Sequence, residues 1–154
     1  MRFIAVLLAP SLLLPAASRA QDAAFIRSHY TKQEVRIAMR DGVRLFTSIY
    51  LPRDTSERHP IVLKRTPYDV APYGDSVTPL VDNQVRAYLR ENYIVVYQDQ
   101  RGRYMSEGTY EDVRPIIAPR RSARDADETT DSWDTVEWLV HNLPYNNGRV
   151  GIRG

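Results

Sequence analysis

The 154-residue chain has the length of one average domain, and 43% hydrophobic with 26% charged residues suits a globular protein. It holds no cysteine, which excludes a disulfide framework, a thiolate metal site and a cysteine nucleophile. Setting aside the leader described next, with Arg2 and Arg19, leaves 19 basic against 19 acidic groups, a balance that gives no electrostatic case for nucleic acid or an anionic membrane.

Residues 1–20 read MRFIAVLLAPSLLLPAASRA: Arg2, an apolar run from Phe3 to Leu14, then small residues up to Ala20. The run is short for a membrane span and is broken by Pro10 and Pro15, so it predicts a secretory signal peptide cleaved after Ala20. That predicts a periplasmic or secreted protein, with no membrane contact after cleavage. Residues 21–32 are polar and without periodicity and are read as an N-terminal arm, and 33–154 as the folded domain.

Glu34 to Met39 alternates apolar and polar, Asp41-Gly42 marks a hairpin turn, and Val43 to Leu51 returns as a second strand. A polar loop leads to a third strand, Ile61 to Thr66, stopped by Pro67. After a loop rich in Pro, Gly and Tyr, the segment 80–92 places Leu80, Val81, Val85, Tyr88 and Leu89 on one helical face. Tyr93 to Asp99 is nearly continuous apolar sequence, as in a strand covered on both faces.

A long loop follows, from Gln100 to about Thr130. A helix then opens with Asp131 as its cap and Asp134 in its first turn, and repeats Trp133, Val136, Val140 and Leu143 at helical spacing. Pro144 and Asn146-Asn147-Gly148 end it, and Arg149 to Gly154 forms a last short strand. The order predicts an α/β fold, an antiparallel hairpin leading into a parallel sheet flanked by helices.

A strand reaching glycine after an Asn-Gly turn is the approach to a nucleophile elbow, G-x-S-x-G, with Gly154 as its first glycine. Many strands end in glycine, so that signal is weak alone. Three stretches precede it in order: RTPYD (Arg65–Asp69), DQRGRYMSEG (Asp99–Gly108) and DSWDTVEWLV (Asp131–Val140). The set resembles the CocE/NonD family of cocaine esterases and X-Pro dipeptidyl-peptidases, and within it most of all the α-amino-acid ester hydrolases, over about Glu34 to Gly154.

The resemblance implies an N-terminal fragment of an α/β hydrolase whose nucleophilic serine, aspartate and histidine lie beyond Gly154, so that the fragment itself is expected to be inactive. It implies an oxyanion-hole role for Tyr68, whose phenol would donate to the oxygen that turns negative during acyl transfer. From the residues alone, an aromatic that packs the loop is the plainer reading of Tyr68. It further implies a small ester or amide of an α-amino acid as substrate, β-lactams included, no cofactor, and a full-length form that could oligomerise through the arm. The alternatives are another cocaine-esterase-like or X-Pro acyl-peptidase activity, or a non-catalytic interaction module.

Asp99, Arg101 and Gly102 follow a strand end, where a buried ion pair shaping the loop outweighs catalysis. Ser106 lacks a nucleophile's setting, and His29, His59 and His141 lack a triad's. Asp125, Asp127, Glu128 and Asp131 miss the calcium-loop pattern and are read as solvated or capping acids, with no metal site. Arg120, Arg121 and Arg124 sit beside those acids as a solvated loop of mixed sign.

Overall fold

A computed structural model describes residues 14–74 and 83–153. Five strands form one mixed sheet in the order β1-β2-β4-β3-β5. The hairpin β1 (Tyr30–Ala38) and β2 (Arg44–Pro52) is antiparallel and turns through Gly42, whose φ of 91° suits a residue without a side chain. β2 runs antiparallel to β4 (Ile94–Asp99), while β3 (His59–Thr66) lies parallel to both β4 and β5 (Asn146–Arg153). The expected hairpin followed by a parallel sheet is therefore present.

Alternation along the strands divides the apolar residues between two clusters, one on each face. Val62, Val95 and Tyr97 join Val85 and Leu89 of α2 (Asn83–Arg90) and Ile26 of α1 (Leu14–His29). Ile61, Leu63, Ile94 and Val96 join Leu139 and Leu143, at the end of α3 (Glu128–Asn142) and just beyond it.

Several expectations need correction. The stretch 21–32 is ordered: α1 runs to His29 and β1 begins at Tyr30. Ile26 is buried, Asp22 pairs with Arg86 at 2.6 Å, and the Tyr30 hydroxyl donates to the Leu89 carbonyl at 2.8 Å, so a few long-range contacts order a segment without a periodic stripe. Residues 1–13, like Leu80 and Val81 of the expected helix, lie outside the described residues, so most of the expected leader does too. No helix among the described residues is long and apolar enough to cross a membrane.

α3 starts four residues earlier than expected, because Asp127 rather than Asp131 is its cap. The Asp127 carboxylate accepts from Thr130 N–H while the Thr130 hydroxyl accepts from Asp127 N–H, a reciprocal capping box. The face turned inward carries Thr130, Asp131, Thr135 and Leu139, whereas Trp133 is 63% exposed. Asn146 and Asn147 belong to β5 and do not end the helix; Asn146 instead ties α3 to β5 by donating to the Val140 and Leu143 carbonyls.

Candidate active site

β3, β4 and β5 run parallel, so the chain leaves all three at one end of the sheet, where sites collect in open α/β folds. Tyr68 stands two residues past β3. Its side chain projects from the surface, 76% exposed, so the alternative of an aromatic packed into its loop does not describe it. Its backbone is held where its ring is not. Tyr68 N–H donates to Thr66 Oγ1 at 3.1 Å, and Arg103 Nε donates to the Pro67 carbonyl at 2.8 Å. Arg103 also lies over the Tyr110 ring, 4.8 Å from its centre.

Beside this loop is Asp99, the last residue of β4, with no solvent exposure. One carboxylate oxygen accepts from Val70 N–H at 3.2 Å. The other accepts from the Tyr73 hydroxyl at 3.1 Å and from Met105 N–H at 3.2 Å. Burial pushes the Asp99 carboxyl above its ordinary value, against the pull of those three donors. Farther along, Lys32 Nζ donates to the Pro72 carbonyl at 2.8 Å, and the Glu34 carboxylate accepts from Gly74 N–H at 2.6 Å. Two β1 residues thus hold the far end of the loop, a function the expected arm and first strand gave no hint of.

The buried ion pair expected near Asp99 and Arg101 exists, but Asp99 is not in it. Arg101 grips the fully buried Asp131 through two nitrogens, at 2.6 and 2.9 Å, and Asp41 at 2.7 Å. Arg114 completes the cluster at 2.8 Å from Asp131. The hydrogen bonds that Arg101 donates to Asp131, only partly opposed by burial, raise its guanidinium well above its ordinary value. The expectation of solvated or capping acids therefore holds for Asp127, the buried cap of α3, and for Asp125, which is half-buried and caps a turn by accepting from Arg121 and Ser122 N–H, and fails for Asp131, fully buried in the ion cluster. The basic residues of that loop stay outside: Arg120, Arg121 and Arg124 are all exposed.

Arg65 illustrates a second polar interior. It is buried at the end of β3, donates to Gln98 Oε1 at 2.7 Å and to Ser132 Oγ at 2.5 Å, and pairs with Glu128. Burial lowers its guanidinium, against the attraction of Glu128 and Asp131. Gln98 in turn donates to Thr47 and Thr135, so the residues beneath the site form a connected hydrogen-bonded layer.

The remaining candidates have structural partners. Ser106 donates to the Asp99 carbonyl at 2.7 Å and accepts from Phe46 N–H at 2.8 Å, which leaves it no base. His29 stacks on Phe25, His59 is buried against the Asp54 carbonyl, and His141 meets the Glu137 carbonyl at the end of α3. Among the described residues, no group of three or more His, Cys, Asp or Glu is arranged to hold a metal ion. Gly154 lies outside the described residues, but Arg153, just before it, pairs with Lys64 across β5 and β3. The chain thus leaves β5 directly beside the β3 exit that leads to Tyr68.

What the sequence could have signalled was Asp99 itself. A carboxylate closing a strand of otherwise buried residues must find donors, and the nearest lie in the loops at that strand end.

Residues 41–154 match the model of the X-Pro dipeptidyl-peptidase (S15) family. A cocaine esterase from Rhodococcus sp. (strain MB1 Bresler) is 32% identical over 123 residues, which are 78% of this chain and 18% of that protein. The solved structure of an α-amino acid ester hydrolase superposes with a TM-score of 0.71 at 42% identity, covering 82% of this chain and 21% of that one. An aminopeptidase from a marine sediment archaeon, Thaumarchaeota archaeon, gives the same score and coverage at 40% identity. The chain spans about a fifth of the length of these relatives.

Proposed function

This chain belongs to the X-Pro dipeptidyl-peptidase (S15) family and carries part of an esterase/peptidase hydrolase domain, and from that premise we propose that it forms the N-terminal part of an exported serine hydrolase acting on esters and amides of α-amino acids. The observation that carries the proposal is the exposed Tyr68 phenol on a pinned backbone, at the strand end that β5 also reaches. The 42% identity to an α-amino acid ester hydrolase supports the substrate class, and α-amino β-lactams fall within it.

In this mechanism a serine supplied by the wider polypeptide attacks the substrate carbonyl carbon, and a histidine takes the serine proton. The carbonyl π pair moves onto oxygen, and Tyr68 donates its O–H to the developing oxyanion. Collapse expels the alcohol or amine, which takes the proton back from the histidine, and water repeats the sequence on the acyl-enzyme. Tyr68 needs no change of protonation state. It contributes by standing where the charge appears, with its O–H available.

The test is Tyr68→Phe in a polypeptide long enough to include the nucleophile. The expected result is a fall in kcat of roughly 10²–10³-fold with KM little changed, the loss typical of one oxyanion donor. An unchanged kcat removes Tyr68 from the reaction. A second reading, an esterase indifferent to the α-amino group, draws on the 32% identity to a cocaine esterase. Comparing kcat/KM for an α-amino ester with its des-amino analogue separates the two: equal values favour the second reading.

A further inference from the structure

Tyr68 presents a difficulty that the proposed mechanism leaves open. An oxyanion donor works only if its hydroxyl is already in place, yet this ring is 76% exposed, so packing does not hold it. Its position must be set through the backbone on either side. On the N-terminal side the backbone is tied at Pro67 by Arg103 and at Tyr68 by Thr66. On the C-terminal side, the first tie is Val70 N–H to Asp99, followed by the Tyr73 hydroxyl to the same carboxylate.

We infer that Asp99 is the positioning residue for Tyr68: its buried carboxylate joins the end of β4 to the loop carrying Tyr68 and to the following loop at Met105, and so sets where the Tyr68 hydroxyl stands. The inference rests on the oxyanion role proposed for Tyr68. Three features single Asp99 out. It is fully buried on the sheet's most enclosed strand, so it is a fixed reference point. Its two oxygens divide their donors between the loops after β3 and after β4, so neither loop moves independently of the other. Tyr73, the second donor from the Tyr68 loop, is itself clamped against Phe46 with ring centres 5.2 Å apart.

Asp99→Asn keeps the size of the side chain and one carbonyl oxygen, which can still accept from Val70. It replaces the oxygen facing Tyr73 and Met105 with a donor, so the tie to Met105 N–H is lost and the charge-assisted bond from the Tyr73 hydroxyl gives way to a weaker, reversed one in which that hydroxyl accepts. The decisive experiment is a double-mutant cycle between Asp99→Asn and Tyr68→Phe in the nucleophile-containing polypeptide. Asp99→Asn alone is expected to lower kcat about 10- to 100-fold with little change in KM, the scale of a sub-ångström to 1 Å misplacement. In the Tyr68→Phe background, the same change should cost less than about twofold, because no hydroxyl remains to misplace. Should Asp99→Asn not fold, Tyr73→Phe removes one donor while keeping the ring against Phe46, and it should show the same background dependence at about threefold.

A loss of equal size in both backgrounds overturns the inference and leaves the oxyanion role of Tyr68 standing, since Asp99 would then act on general integrity. No loss of kcat from Asp99→Asn overturns it as well. A silent Tyr68→Phe overturns the oxyanion reading, and the inference with it.

Discussion

β4 and β5 are both parallel partners of β3, one on each side, yet they live in different environments. Every residue of β4 is buried, with Val95 and Tyr97 in one cluster and Ile94 and Val96 in the other. In β5 only Asn146 is buried, Val150 is partly covered, and Ile152 is 57% exposed. On the α2 side, β5 presents Gly151 and Arg149 to a cavity of about 420 Å³ shared with Val62, Tyr88 and Tyr93. Ladder hydrogen bonds therefore do not decide how well a strand is anchored; what packs on its two faces does. Polar order follows the same division. The end of β4 carries Asp99 and leads into Arg101, both in dense hydrogen-bonded clusters, while in β5 the Gly148 and Arg149 N–H groups donate locally, to the Asn146 and Asn147 side chains two residues back.

The contrast can be tested by substitution. The largest effect is expected at the β4 exit. Arg101→Met removes two bonds to a fully buried carboxylate and leaves Asp131 to Arg114 alone, at an expected loss of about 3–5 kcal/mol in urea unfolding. A loss under about 1 kcal/mol would mean that Arg114 suffices and that the cluster is less critical than its burial suggests.

The strands themselves give the second test. Ile94→Ala should cost about 2–5 kcal/mol, whereas Ile152→Ala, at an exposed position, should stay within about 0.5 kcal/mol. Equal losses measured by chemical denaturation would erase the distinction between β4 and β5.

A smaller effect than that at Ile94 is expected at the hairpin, which Arg40 ties to Asp134 of α3, with guanidinium contacts from 2.7 Å. Burial alone would raise the Asp134 carboxyl, but the bonds from the Arg40 side chain and backbone outweigh it and hold it below its ordinary value. A depressed folded value means stabilisation that is complete above the unfolded value near 3.9 and is lost as pH falls through the lower folded one. Arg40→Met should therefore lower stability by about 1 kcal/mol at pH 7, with the gap to the parent closing as pH drops below about 4. Thermal melts across that range would reveal it, and a gap independent of pH would assign the loss to packing.

How much of this the sequence disclosed depended on the kind of signal. Asp41-Gly42 between alternating residues announced the hairpin, and the unbroken run ending at Asp99 announced a strand covered on both faces. Helix α3 was legible as a helix, but its buried face was not. A reading of apolar spacing selects Trp133 and Val140, whereas Asp131 and Thr135 turn inward because Arg101, Arg114 and Gln98 meet them there. Partners from distant segments decide such positions, and no local pattern encodes them. Tyr68 stood out only through the family resemblance, and its exposed ring, with a backbone held from three directions, belongs to the tertiary structure.

Gly102 bears on how substitutions in this region are interpreted. Its φ is 69°, and a side-chain carbon placed there would fall inside the backbone of Thr109 and Tyr110. Every L-amino acid with a side chain is barred by both backbone angle and space. A survey of tolerated variants would find this position as intolerant as a nucleophile, although the reason is the return path of a loop. Intolerance to substitution measures how closely a chain passes itself as well as any chemistry it performs.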